Sequence, residues 1–186
     1  MIHPLLERRR SLRAIDSEHQ VPEHALQHLL EAARWAPSSG NTQPWRIVVV
    51  NEPEALERAR KALKPGNRTW ADSAPLLIVF CANPDDDGDV AGQPLYLFDC
   101  GLAAENLILQ GIEEGFVVHP MAGWDEEPMR EALHIPLPYR LIVVIAVGYP
   151  GKIENLTESL QKRENAVRER KPLSEIAHYN IWRNDK

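Results

Sequence analysis

The chain has 186 residues, a formal net charge of −6 and an ordinary hydrophobic content of 44%. This length suits one domain with a buried core, so we expect residues 1–186 to form a single domain. The acidic balance argues against nucleic acid as a partner. No apolar run reaches the roughly 20 residues that cross a membrane.

The two cysteines, Cys81 and Cys100, lie far apart in apolar surroundings. They are interpreted as small buried hydrophobic residues rather than as a disulfide framework or a metal site. The N-terminal residues carry charge without a following apolar stretch, so no signal peptide is expected. These features favour a cytoplasmic protein.

Helical and extended patterns alternate along the chain. Apolar residues at helical spacing and their flanking turn residues predict helices at 22–35, 53–63, 95–114 and 125–134. Apolar runs predict strands at 46–50, 75–81, 116–119 and 141–147. All but the third are apolar on both faces, which is typical of central, buried strands. A polar stretch with a helical pattern covers 155–171, and apolar residues return at 172–182. Taken alone, the alternation favours a parallel sheet.

Two segments have some features of metal sites. The acidic loop 83–89, "NPDDDGD", lacks the spacing and the closing glutamate of a calcium-binding EF-hand. His24 and His28 have the i, i+4 spacing of metal ligands, but they face away from the leucine stripe and nothing nearby completes a site. We interpret them as surface histidines and expect no metal.

The sequence contains none of the common nucleotide or nucleophile motifs, such as G-x-G-x-x-G, a Walker sequence or G-x-S-x-G. What remains is a set of arginines and amides. Nine of the 21 basic residues lie in two stretches, 8–13 and 162–171. If these stretches meet in space, their guanidinium groups and the Ser11 hydroxyl form a pocket for a phosphate monoester. Two solvated helix faces are the alternative interpretation.

The loop "WAPSSGNTQPW", residues 35–45, is rich in groups that form hydrogen bonds. Asn41 and Gln43 are two residues apart, so an extended segment would project both side chains to the same side. Primary amides match the N–H and C=O groups along the pyrimidine edge of a flavin. Adenine or guanine would also satisfy an amide, so these residues alone do not single out flavin.

Four blocks together resemble the nitroreductase family of FMN-dependent oxidoreductases. They are "RRRSLRAID" (8–16), "APSSGNTQPWRIVVV" (36–50), "GFVVHPMAGW" (115–124), and "VGYP" (147–150) followed by "RERKPLSEIAHY" (168–179). The blocks occur in the family's order and span nearly the whole chain. The second block is the specific one, and the others support it by position.

The resemblance implies an FMN site built from both ends of the chain. The FMN phosphate would be held by Arg9, Arg10 and Ser11, joined by Arg170 and Arg168. Arg13 would lie near the ribityl chain or the N1–O2 edge, where a positive charge stabilises the reduced flavin.

The resemblance also implies contacts to the flavin ring from two loops. Pro37, Ser38, Ser39 and Asn41 would line the ring, while Gln43 would contact the ribityl chain or brace the loop. Asn67 is a further candidate for the pyrimidine edge. A second loop comprises Pro120, Met121, Ala122 and Gly123, with the backbone N–H groups of its last two residues facing N5 and O4.

The family fold implied by this resemblance is α+β, with a mostly antiparallel central sheet flanked by helices. It replaces the parallel arrangement suggested by the alternation. The family also forms a homodimer with FMN at the interface, so segment 172–182 would be exchanged onto the partner. Packing of that segment on its own subunit is the alternative.

The implied activity is hydride transfer from NADH or NADPH through flavin N5 to a small oxidised acceptor by a ping-pong mechanism. A nitroaromatic, a quinone, an enone or a free flavin would serve as acceptor, and no catalytic side chain is needed. The alternatives are other chemistry on FMN (dehalogenation or flavin fragmentation), flavin binding without turnover, and a basic interaction patch without cofactor.

Two features depart from the family pattern. Segment 83–95 is abbreviated, which implies an open or differently shaped substrate pocket. His119 stands where smaller residues are common, so its ring would lie near the dimethylbenzene end of the flavin or fill the core.

Overall fold

The computed structural model describes residues 2–182. Its helices are α1 (Pro4–Arg8), α2 (Glu23–Arg34), α3 (Pro53–Lys61), α4 (Pro65–Ala71), α5 (Leu95–Glu113), α6 (Glu126–Leu133), α7 (Glu158–Glu164) and α8 (Leu173–Ile176). Its strands are β1 (Trp45–Val50), β2 (Leu76–Ala82), β3 (Asp89–Val90), β4 (Gln93–Pro94), β5 (Val117–Met121) and β6 (Arg140–Gly148).

The main sheet has the strand order β1-β2-β6-β5, and every neighbouring pair is antiparallel. This confirms the α+β fold with an antiparallel sheet, and the parallel arrangement is wrong. The prediction of a central strand at 46–50 is also wrong, because β1 lies at the edge of the sheet. Its apolar side chains Ile47, Val48 and Val49 are only partly buried. Helices cover both faces, so apolar content on both faces does not distinguish an edge strand from a central one.

The core consists of two apolar layers, one on each face of the sheet. Alternate residues of β2 enter the two layers. Leu77 and Val79 pack with α3, α4 and α6, whereas Ile78 and Phe80 pack with α2 and α5. This double coverage explains why the strand reads as an unbroken apolar run.

Both cysteines are buried and unbridged, as the sequence predicted. Burial raises the pKa of the Cys81 and Cys100 thiols to about 12. These side chains therefore act as small apolar residues of the core.

The structure differs from the predicted elements mainly at the chain ends and in short segments. The helical pattern at 155–171 yields only the short helix α7, and the chain beyond it is irregular up to α8. Helices α1, α4 and α8 and the β3–β4 hairpin were not predicted. All three helices begin at or directly after a proline and are too short to show a helical period.

The two segments considered for metal binding lie on the surface. His24 and His28 project from α2, and His28 Nδ1 lies 2.6 Å from Glu114 Oε1. In the acidic loop, the Asn83 amide donates to Asp86 at 2.8 Å. Residues 2–182 contain no group of three or more side chains placed to hold a metal ion. None of the helices in that range is both long and apolar enough to cross a membrane.

Candidate functional site

The two basic stretches meet in space. Arg10 donates to the carbonyl oxygens of Glu164 and Ala166 at 3.1 and 2.7 Å, at the end of α7 and just beyond it. Arg168 donates in return to Arg9 O at 2.8 Å, at the end of α1. Each arginine thus satisfies carbonyls at a helix C-terminus, where the helix dipole favours a cation. These contacts give Arg10 and Arg168 a bracing role that the sequence did not reveal.

A buried carboxylate of the C-terminal stretch holds the backbone of the N-terminal stretch in place. Both oxygens of Glu164 accept from the Arg13 backbone N–H at 3.0 Å, and the Glu164 side chain is 2% exposed. The carbonyl of the same peptide group, Leu12 O, accepts from His119 Nδ1 at 2.8 Å. We refer to these contacts of Glu164 and His119 with the Leu12–Arg13 peptide group as the peptide clamp.

His119 lies in the core rather than at the surface. Its ring centroid is 4.4 Å from that of Trp70 on α4. Burial lowers the pKa of His119 to about 4. The hydrogen bond to Leu12 acts in the opposite direction, and the charges of Arg13 and Arg9 lower the pKa further. The imidazole is therefore neutral at pH 7, and its Nδ1 carries the proton that Leu12 O accepts.

Arg9 and Ser11 form a half-buried group of donors beside the clamp, with Arg9 Nη1 3.2 Å from Ser11 Oγ. Within residues 2–182, neither Arg9 nor Arg10 has a carboxylate within 4.0 Å, whereas Arg8 pairs outward with Glu113 at 2.8 Å. A half-buried guanidinium without a counter-charge favours a bound anion. Arg170 is exposed and bonds only to Glu169 O, at 2.7 Å, so this chain alone does not bring it into the group.

The loop at residues 38–43 is tightly turned rather than extended. Ser39–Asn41 forms a single 3₁₀ turn, and Gly40, Asn41 and Gln43 have φ values of 54°, 60° and 49°. The side chains of Asn41 and Gln43 therefore do not project as they would from a strand. Gln43 Nε2 donates to Asn41 O at 3.2 Å, so Gln43 braces the loop. Non-glycine residues in this region of φ are strained and are concentrated at functional sites.

Two side chains accept hydrogen bonds from backbone N–H groups of this loop. Ser38 Oγ accepts from the Gln43 N–H at 3.0 Å. Asp99 Oδ2, on α5, accepts from the Ser39 N–H at 2.8 Å. Sequence reasoning missed Asp99. The available signal was a carboxylate flanked by Phe98 and Cys100 in the mostly apolar first half of the helix.

The second loop of the expected site follows β5. Gly123 O accepts from the Lys64 N–H and from Asn67 Nδ2, both at 3.0 Å. A Cβ atom at Gly123 would lie 2.7 Å from Asn67 Nδ2, so a side chain here would displace the Asn67 amide from this hydrogen bond. Asn67 therefore braces the loop through its amide N–H.

The remaining residues of this loop differ in what they offer a ligand. Pro120 is half-buried. The side chain of Met121 is buried in the core, so only its backbone could contact a ligand. Ala122 is exposed. In the part of the chain that the structure describes, the N–H groups of Ala122 and Gly123 have no acceptor. Both are available to donate to a ligand.

Segment 83–95 forms a short 3₁₀ turn followed by a small hairpin. Strands β3 and β4 pair through the turn at Ala91 and Gly92. The segment is tied to the 38–43 loop where Thr42 Oγ1 lies 3.3 Å from Asp87 Oδ1.

Comparison with known proteins agrees with this architecture. The model of the nitroreductase family matches residues 6–69 and 57–149. A protein of Archaeoglobus fulgidus, provisionally named NADH dehydrogenase/NAD(P)H nitroreductase, is 33% identical over 161 residues, which cover 81% of this chain and 86% of that protein. Mouse iodotyrosine deiodinase 1 is 28% identical over 181 residues, covering 81% of this chain and 62% of that protein.

A solved structure described as an oxidoreductase containing FMN superposes with a TM-score of 0.88 at 29% identity. The match covers 100% of this chain and 94% of that chain. The fold and the comparisons together support an oxidoreductase with an α+β fold. The chain belongs to the nitroreductase family.

Replacing Glu164 tests the peptide clamp. Glu164→Ala leaves the buried N–H of Arg13 without an acceptor, so we expect the free energy of unfolding to fall by about 3 kcal/mol. Denaturant unfolding followed by circular dichroism measures this. Lys162→Ala, an exposed position on the same helix, should change it by less than about 0.5 kcal/mol. Equal effects of the two variants would contradict the clamp.

Proposed function

We propose that the chain binds FMN and transfers reducing equivalents from NADH or NADPH to a small oxidised acceptor. One observation carries the proposal. Half-buried guanidinium groups without a carboxylate partner in residues 2–182, unsatisfied backbone donors and a strained amide-bearing loop occur together in a chain of the nitroreductase family. Each of these features suits a different part of FMN.

The phosphate end matches the N-terminal arginines. Arg9 and Ser11 would hold the phosphate oxygens, with Arg10 adding charge while it braces α7. The peptide clamp fixes the backbone that follows, and Arg13 would offer its guanidinium to the N1–O2 edge. Arg168 would act by holding Arg9 in place. Arg170 would reach the FMN phosphate only if the C-terminal end of the chain took a different position.

The ring end matches the two loops. Pro37, Ser38, Ser39 and Asn41 would line the flavin ring, and the unsatisfied N–H groups of Ala122 and Gly123 would donate to N5 and O4. Hydrogen-bond donors fixed in this way stabilise negative charge because they need no reorganisation during the reaction. Gln43 and Asn67 would support these loops rather than touch the ring.

When bound, FMN would supply the redox chemistry in two half-reactions, accepting hydride from the nicotinamide and then reducing the acceptor, which is a ping-pong sequence. The chain's own groups bind and orient, and no side chain acts as a nucleophile. Nitroaromatics, quinones, enones and free flavins are the proposed acceptors. The names of the relatives support a nicotinamide donor.

Reductive dehalogenation is the second candidate, favoured by the similarity to mouse iodotyrosine deiodinase 1. The small hairpin at 83–95 would leave room for a bulky substrate. Turnover of a halogenated phenol, with halide release, would identify this activity.

A homodimer is part of the proposal because the apolar C-terminal segment is uncovered on its own chain. Leu173, Ile176 and Tyr179 are 74%, 61% and 79% exposed. Apolar clusters of this kind mark interaction surfaces. We expect exchange of segment 172–182 onto the partner.

Light scattering tests the dimer. The expected mass is about twice the 21.1 kDa of one chain. Ile176→Asp combined with Tyr179→Asp should shift the molecule towards monomer, because charge would replace apolar contact at the interface. Leu137→Asp, at an equally exposed apolar position, should leave the mass unchanged. A wild-type monomer would contradict the proposal.

The phosphate assignment is tested by comparing FMN with riboflavin. Arg9→Ala should weaken FMN binding by about tenfold or more, since a charge-assisted hydrogen bond contributes roughly 1.5–3 kcal/mol. Riboflavin lacks the phosphate and should bind this variant as it binds wild type. Arg8→Ala, which loses only the outward pair with Glu113, should bind FMN normally. Equal losses of FMN and riboflavin in Arg9→Ala would mean that Arg9 is structural.

Turnover is tested by colour. Protein supplied with FMN should be yellow and should bleach without oxygen when NADH or NADPH is added, at rates that differ between the two donors. Varying donor and acceptor together should give parallel double-reciprocal lines, as ping-pong exchange requires. A protein that gains no flavin absorbance would refute the proposed function.

A further inference from the structure

Asp99 is a buried acidic side chain for which the FMN contacts above provide no role. It lies near the start of α5, is 1% exposed, and neighbours the buried Cys100. Within residues 2–182, the only hydrogen bond of its carboxylate is the one accepted from the Ser39 N–H at 2.8 Å.

A carboxylate in this position is costly for the fold. Burying a charge with few partners is unfavourable, and an apolar residue of similar size would avoid that cost. Its single contact, however, is a short, charge-assisted hydrogen bond, which is among the stronger kinds. The carboxylate therefore matters for the position of the loop that it binds.

The position of that loop depends on hydrogen bonds from outside the loop. Three of its residues have positive φ, and two of these, Asn41 and Gln43, are not glycine. Inside the loop, Asn41 N–H donates to Ser38 O at 3.1 Å and Thr42 N–H to Ser39 O at 3.0 Å. These local bonds fix the turn but not its place on the protein. The tie to Asp99 joins the loop to a 19-residue helix packed in the core, whereas the tie from Thr42 to Asp87 is exposed.

We propose that Asp99 is a positioning residue that fixes the 38–43 loop for binding the flavin ring, acting through the Ser39 N–H. The proposal rests on the proposed function for its ligand. Asp99 acts on the ring and not on the phosphate, because its contact is with the loop assigned to the ring. Removing the Asp99 carboxylate should therefore weaken the binding of FMN and of riboflavin by the same factor, whereas loss of Arg9 should weaken only the binding of FMN.

The first measurement needs no flavin. In the flavin-free protein, hydrogen exchange of the Ser39 amide is followed by NMR, since an amide bonded to a buried carboxylate is protected. Asp99→Ala should speed exchange at Ser39 by tenfold or more. Asp99→Asn keeps a weaker, neutral acceptor and should fall between wild type and Asp99→Ala. Glu105→Ala, at an exposed position on the same helix, should exchange as wild type does.

The second measurement is flavin affinity by fluorescence titration. Asp99→Ala should weaken both FMN and riboflavin by about tenfold, with the ratio of their dissociation constants unchanged, and Asp99→Asn should lose less. Wild-type protein that binds neither flavin would refute the proposed function, while the exchange data would still decide the role of Asp99 in the loop.

The proposal is overturned if folded Asp99→Ala keeps wild-type exchange at Ser39, or if its loss is confined to FMN. Should Asp99→Ala fail to fold, Asp99→Asn decides the matter. Unchanged exchange and unchanged affinity for both flavins in that variant would overturn the proposal as well.

Discussion

The peptide group between Leu12 and Arg13 is the point on which the candidate site depends. Its carbonyl is held by His119 of β5 and its N–H by Glu164 of α7. His119 lies 107 residues from Leu12 and Glu164 lies 151 residues from Arg13 in sequence, and each segment also carries part of the proposed FMN site or supports it. Neither partner is exchangeable with water, because both are buried. The backbone that bears Ser11 and Arg13 is thus fixed by the core and not by the ligand.

In this arrangement, the side chains that hold the scaffold together differ from those that remain available to bind a ligand. Arg10 and Arg168 satisfy the carbonyls at the ends of α7 and α1, so part of the cationic surface holds the scaffold together. Arg9 remains without a carboxylate partner in the described chain. The same division appears at the ring end, where Asp99 and Asn67 hold the two loops while the N–H groups of Ala122 and Gly123 stay unused. Pre-organised donors of this kind reduce the ordering cost of binding.

The sequence predicted the parts of the fold that depend on local pattern. The ends of β2 and α5 lie within one residue of prediction, because continuous burial and helical spacing are properties of neighbouring residues. Strand direction and the edge position of β1 depend on pairing between distant segments, and apolar content does not encode them. Helix α7 ends at Glu164, where Arg10 from the opposite end of the chain binds the carbonyls of Glu164 and Ala166, a contact that local sequence does not show. The positive φ angles at Asn41 and Gln43, and the partners of Asp99 and Glu164, likewise depend on contacts that no sequence spacing reveals.

The two cysteines have a chemical consequence for a protein proposed to reduce quinones and nitro compounds. Quinones and similar acceptors are electrophiles that thiolates attack, and the thiolate is the reactive form of cysteine. Cys81 and Cys100 are the only cysteines in the chain, and burial keeps both protonated far above neutral pH. The protein therefore presents no reactive thiolate that its proposed substrates could alkylate.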